Sequence, residues 1–404
     1  MNNQTKLLWF KGAQPRGRSA TKKQKKYLLV ALLFFLSTFS FAQYHVTFVV
    51  KQPSSKHSKD SVYVTGNFNS WNPEDNGYLL TPENSNISKI TIDLPGGNYE
   101  YKFTRGSWQK AETDTNGKNI SNRILKLNSD TTIPVNISAW NDDFHSNKIA
   151  EKKEHSASVN VKIIDTAFYI PQLNRKRRVW IYLPPGYTAS KTKYAVLYMH
   201  DGQNLFDNAT SYAGEWGVDE YLDSIAESGK KEVIVVGIDN GLTKRMAEYN
   251  PWEFENFGKG EGDRYVDFLV KTLKPFIDSH YRTLKSKPNT YIAGSSMGGL
   301  ISLYAILKYP KVFGGAGIFS PAFWTASGID STVIANAKKV NSRLFFYAGD
   351  KEGDTMIPYM QRIEKEIQQR SKSPVKEIIG QDAHHNEASW KKYFTDFYEW
   401  TIEK

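Results

Sequence analysis

Five residues, Gly294-Ser295-Ser296-Met297-Gly298, restrict the fold of this 404-residue chain more than any other feature of it. They lie between an apolar, β-branched run (Thr290 to Ala293) and a helical-looking one (Leu300 to Leu307). A G-x-S-x-G segment between a strand and a helix forms a turn so tight that side chains flanking the serine would collide, hence the glycines. The turn lifts the Ser296 hydroxyl clear of the backbone and aims the Met297 amide at a developing oxyanion.

A serine presented this way needs an acid and a histidine on later strand-following loops. Arg343 to Ala348 predicts a buried strand that ends at Gly349, followed by Asp350-Lys351-Glu352-Gly353-Asp354. Lys376 to Ile379 predicts one more strand, followed by a loop with His384 and His385 and an amphipathic helix, Trp390 to Ile402. The histidine would take the serine proton and return it to the leaving group. The carboxylate would hold one imidazole tautomer and stabilise the imidazolium. Asp350, Glu352 and Asp354 are all candidates, as are both histidines. A second oxyanion amide is expected after the strand Tyr194 to Met199, from Asp201, Gly202 or Gln203, with Gly202 letting the backbone approach the substrate closely. His200 lies upstream of the serine, where no base is expected, and reads as structural.

Several segments together resemble the Putative esterase family, which includes siderophore, feruloyl and acetyl-xylan esterases. They are Val179 to Pro185, Tyr198 to Phe206, Gly214 to Asp219, Glu248 to Trp252, Gly294 to Gly299, Phe319 to Trp324 and His385 to Trp390. The resemblance covers about residues 157 to 404 and implies an α/β-hydrolase fold. Its Gly-x-x-Asp/Glu pattern falls on Gly349 to Glu352 and selects Glu352. Its histidine before Asn-x-x-x-Trp selects His385 over His384. Ser296, His385 and Glu352 are then the expected triad, with Met297 and Gly202 or Gln203 at the oxyanion. No metal or organic cofactor is implied. Trp216, Asn240, Arg245, Tyr249, Trp252 and Trp324 lie on segments expected at the carboxyl ends of strands, where α/β sheets bind ligands, and are the expected substrate-binding walls.

The net charge of +11 raises the question of nucleic acid, but residues 1–42 alone carry +8 with no acid, and the remainder only +3. No basic stripe results, so no nucleic-acid partner is expected. The basic leader runs into Tyr27 to Leu36 and then Ser37 to Gln43, with Ser40 and Ala42 in a small-x-small end. That pattern predicts a secretory signal peptide over residues 1–42, cut after Ala42. Its apolar stretch is shorter than the roughly 20 residues a spanning helix needs, so no stable membrane anchor is expected. The chain has no cysteine, which excludes disulfides and thiolate chemistry and fits a secreted or periplasmic protein.

Residues 43–142 have another texture, with short alternating runs at 44–50, 61–65, 87–94, 99–103, 123–127 and 132–137 separated by Gly- and Asn-containing turns. They predict a small antiparallel, immunoglobulin-like β-sandwich ahead of the α/β-hydrolase domain. Gly66 to Pro73 and Tyr99 to Trp108 resemble glycogen- and starch-binding modules, which implies a glycan partner bound by Trp71, Lys102, Trp108 and Asn122. Flat aromatics suit the C–H faces of sugars and fixed polar groups suit the hydroxyls. The alternative is a docking domain with Trp71 in its core. Residues 143–156, charged and weakly patterned, predict a linker.

The expectation is therefore a secreted two-domain serine esterase acting on acyl esters of polysaccharides, acetyl or feruloyl in type. A siderophore trilactone esterase and a non-catalytic glycan-binding protein are the rival readings.

Overall fold

The computed structural model describes residues 43–53, 57, 59–69, 71–145, 153–212, 214–254 and 258–403. The leader and its expected cut lie outside them. The chain divides into two compact units after Asn141.

The first unit holds β1 (Gln43–Lys51), β2 (Tyr63–Gly66), β3 (Thr81–Pro82), β4 (Ile87–Pro95), β5 (Gly97–Thr104), β6 (Glu112–Thr113), β7 (Arg123–Leu127), β8 (Thr131–Asn136) and β9 (Ala139–Trp140). They form a four-stranded sheet, β3-β4-β1-β8, a three-stranded sheet, β2-β5-β7, and the pair β6-β9. Side chains alternate along a strand, so Val46, Phe48 and Val50 of β1 point inward together. They share one core with Val64, Tyr101, Phe103, Leu125 and Leu127 of the other sheet. One pairing departs from the antiparallel expectation: β1 and β8 run parallel, Val46 opposite Thr131 through Lys51 opposite Asn136. The chain reaches β8 from β7, in the other sheet, instead of through a hairpin from β1.

The second unit is built on eight strands: β10 (Val161–Ile170), β11 (Arg175–Tyr182), β12 (Ala195–His200), β13 (Val233–Ile238), β14 (Thr290–Ser295), β15 (Gly315–Phe319), β16 (Arg343–Gly349) and β17 (Val375–Gly380). Their order is β10-β11-β13-β12-β14-β15-β16-β17. β10 and β11 pair antiparallel, β11 joins β13 antiparallel, and all later pairings are parallel. Every residue of β12 to β15 is buried, as expected of parallel strands covered on both faces. Helices do the covering, among them α1 (Val218–Ile225), α2 (Gly262–Phe268), α3 (Met297–Lys308), α4 (Ile329–Asn336), α5 (Met356–Arg370) and α6 (Glu387–Thr401). Val196 and Tyr198 of β12 join one core with α2 to α5, while Ala195, Leu197 and Met199 join another with α1 and α6. The result is an α/β-hydrolase-like fold.

The expected linker is partly bound structure. Asn141–His145 is a helical turn. Lys153 Nζ donates to the Ser211 carbonyl (2.9 Å), His155 Nδ1 meets Asp207 Oδ2 (2.7 Å) and Ser156 Oγ donates to Glu215 (2.9 Å). The Ser158 amide donates to the buried Asp219 (2.7 Å), so residues 153–158 are bonded to the second unit's own structure. No described helix is long and apolar enough to cross a membrane.

Candidate active site

Ser296 stands between β14 and α3 at φ 58° and ψ −120°, a backbone conformation costly for any residue with a side chain. Three bonds hold it there. Its N–H donates to the Phe319 carbonyl (2.8 Å), and its carbonyl accepts from Leu300 and Ala322 (3.1 Å each). The glycines around it make room for more than the turn. A Cβ on Gly294 would come within 2.9 Å of the His200 ring, and one on Gly299 within 2.9 Å of the Phe319 carbonyl oxygen. His200 thus packs beneath the elbow, its Nδ1 3.0 Å from the Tyr265 hydroxyl. Burial, reinforced by Arg245, pushes its pKa down to about 3, so it is neutral, in keeping with a structural histidine.

The acid and the histidine come from the loops after β16 and β17. Glu352 Oε2 lies 2.8 Å from His385 Nδ1. Its other oxygen accepts from Ser320 Oγ and from the Gly349 amide, both at 2.7 Å, and its side chain is fully buried. Asp350 instead accepts from the Ala383 amide (3.3 Å) and lies near Lys351. Asn386 caps α6, its Oδ1 accepting from the Ser389 amide (3.0 Å), and Trp390 sets its ring edge-on to that of His385 at 5.1 Å. His384 is exposed, its amide spent on Ser389 Oγ. With His385 Nδ1 engaged by Glu352, Nε2 is the nitrogen left for a serine. No hydrogen bond joins it to Ser296 Oγ among the described residues, and in ligand-free sites such bonds are commonly long.

Met297 is the first residue of α3, so its N–H belongs to the helix turn whose amides have no intrahelical partner. The opposite loop follows β12. Asp201 adopts a left-handed φ of 57° and leads into the 3₁₀ turn Gly202–Asn204. A Cβ on Gly202 would meet the backbone of Gly237 and Ile238 at 2.9 Å. The glycine is therefore required by packing on β13.

The expected wall residues separate into two groups. Arg245 donates to both Asp201 carboxylate oxygens (2.7 and 2.8 Å), and Asn240 Nδ2 donates to one of them (2.7 Å). Burial alone would raise the Asp201 pKa, but this pairing holds it below the usual carboxylate range. Tyr249 is fully buried, its hydroxyl accepting from the Asp201 amide (3.3 Å), and Trp216 is packed among Phe319, Trp390 and Phe394. Tyr249 and Trp216 are thus interior, whereas Asn240 and Arg245 are half-buried and held by Asp201. Trp252 is half-buried against Tyr304, beside an open cavity of about 460 Å³, and Trp324 is exposed.

In the first unit, Trp71 lies outside the core, part-exposed, with its ring centroid 6.1 Å from that of Trp108. This overturns the placing of Trp71 in the core. The Trp71 N–H donates to the Gly66 carbonyl (2.8 Å), in a turn braced by Asn69, a residue absent from the sequence-based set. The buried Asn69 side chain accepts from Thr65 Oγ1 and the Gly66 amide, and donates to the carbonyls of Val64 and Asn72. Lys102, on β5 opposite Thr65, has its pKa lowered by burial, and Asn122 donates to Glu100 (2.9 Å).

Residues 170–400 match the family model described as Putative esterase. Over 245 residues the chain is 28% identical to an uncharacterized protein, YbbA, of Bacillus subtilis, covering 56% of this chain and 93% of that one. It is 27% identical over 194 residues to an endo-1,4-beta-xylanase/feruloyl esterase of Xylanibacter ruminicola, covering 47% of this chain and 25% of that one. A further 99-residue match, 43% identical, is to an alpha-amylase of Niallia circulans and covers 24% of this chain and 8% of the amylase.

Proposed function

Because this chain belongs to the Putative esterase family and is an esterase, we propose that it hydrolyses acyl esters carried on polysaccharides through Ser296, His385 and Glu352. The observation that carries the triad is the 2.8 Å pairing of the buried Glu352 with His385, on the loops that follow two successive strands beyond the strained Ser296. Ser296 Oγ attacks the ester carbonyl as its proton passes to His385 Nε2. The carbonyl oxygen takes up the negative charge, met by the Met297 amide and by one amide of Gly202 or Gln203. The intermediate collapses, and the departing sugar oxygen takes the proton from His385. Water then attacks the acyl-enzyme with His385 again as base, releasing the carboxylic acid and restoring Ser296. Glu352 fixes the imidazole and stabilises its cation.

The polysaccharide enters through the relatives and the first unit. The Xylanibacter relative is by name a feruloyl esterase joined to a xylanase, and the Niallia relative an amylase. The first unit, read as a β-sandwich, offers Trp71 and Trp108 as a platform for a sugar face, with Lys102 and Asn122 for hydroxyls. Export through residues 1–42 would put such an enzyme where polysaccharides are.

A fluorophosphonate probe tests the nucleophile: it should label the parent and not Ser296→Ala, and labelling that survives the change removes the assignment. Acetylated xylan, feruloylated oligosaccharides and a catecholate trilactone, offered to the same preparation, test the substrate. Cleavage of the trilactone alone would favour the siderophore reading.

A further inference from the structure

Ser320, outside the proposed triad, makes contacts that join its parts. It follows β15, is fully buried and adopts a left-handed φ of 43°. Its hydroxyl donates to Glu352 Oε1 (2.7 Å) and accepts from the indole N–H of Trp390 (2.9 Å). Its own N–H donates to the Tyr347 carbonyl on β16 (2.6 Å), and the preceding carbonyl, Phe319, accepts from the Ser296 N–H (2.8 Å). One dipeptide therefore binds the nucleophile's backbone on one side and the acid's carboxylate on the other. Trp390 extends the connection, because its ring also stands edge-on to His385.

We propose that Ser320, clamped by Trp390, is a positioning residue that sets Glu352, and through it His385, in register with Ser296. A hydroxyl has a single proton and is free to rotate. Donation from Trp390 occupies its acceptor side and directs the proton at Glu352 Oε1. That oxygen is thereby held by two donors, leaving Oε2 for His385 Nδ1. The left-handed backbone is the conformational cost of turning the side chain under the acid while the adjacent carbonyl faces the elbow.

The inference rests on the triad reading, which fluorophosphonate labelling of Ser296 tests separately. Its own test is a double-variant cycle on p-nitrophenyl acetate with the full chain. Ser320→Ala should lower kcat about 10-fold with KM within two-fold. In a Glu352→Gln background, the same change should alter kcat less than two-fold, since Ser320 acts through that carboxylate. An equal cost in both backgrounds, or a folded Ser320→Ala with unchanged kcat, overturns the proposal. If Ser320→Ala does not fold, Trp390→Phe taken through the same cycle decides by the same criteria.

Discussion

At the scale of single residues, three acids within five positions have different surroundings. Glu352 alone meets a histidine, and its buried oxygens already have three donors. Glu352→Gln should therefore reduce kcat by at least 100-fold, while Asp350→Asn and Asp354→Asn stay within about 5-fold, as steady-state rates on a p-nitrophenyl ester would show. His200 bears on stability instead. Its pKa falls from about 6.5 unfolded to about 3 folded, so the unfolded chain binds more protons between those values. The stability it contributes is complete above about pH 6.5 and is lost as pH falls toward 3, at up to about 1.4 kcal/mol per pH unit. Burial holds Asp219 and Glu364 up at about 8, which gives the opposite slope above the normal carboxylate range. The comparison must therefore be parent against variant. Urea unfolding at pH 7 and pH 4.5 should show a smaller acid-induced loss in His200→Gln.

At the scale of elements, the elbow depends on close approach between β14, α3 and β15. Gly299→Ala sets a methyl 2.9 Å from the Phe319 carbonyl, a backbone atom that cannot swing away. It should cost about 1–3 kcal/mol in denaturant unfolding and lower kcat as well, since Phe319 also holds Ser296. Elements of this kind were legible in the sequence. The strand at Arg123–Leu127 lies at its expected bounds, and the other expected strands differ by one or two residues, because burial on alternating or continuous faces is a local pattern; β3, β6, β9, β10, β11, β13 and β15 were not among those expected. The partnership of β1 and β8 was not legible, because local pattern carries no information about which distant strand arrives alongside. The same limit applies at the site. The positions of Asn240 and Arg245 after a strand were readable, but not that their polar atoms turn to the buried Asp201. Ser320 was visible only as part of a motif, its partners lying on β16, the loop after it and α6.

At the scale of the whole molecule, two units imply two separable contributions. Trp71→Ala with Trp108→Ala should abolish retention of the full chain in an α-glucan affinity gel and slow acyl release from a polymer. Turnover of a small p-nitrophenyl ester should be unchanged, since a tethered module acts by raising effective concentration. Retention that survives both changes would leave the docking role for that unit. The order of the eight-stranded sheet has a consequence for how the enzyme is made. β14, which delivers Ser296, lies beside β12, yet roughly ninety residues separate the two in the chain. Closing so long a loop costs entropy before any contact repays it, so this pairing should be a late event in folding. On dilution from denaturant, far-ultraviolet circular dichroism should recover first and esterase activity only afterwards, with the nucleophile the clock by which completion of the sheet is read.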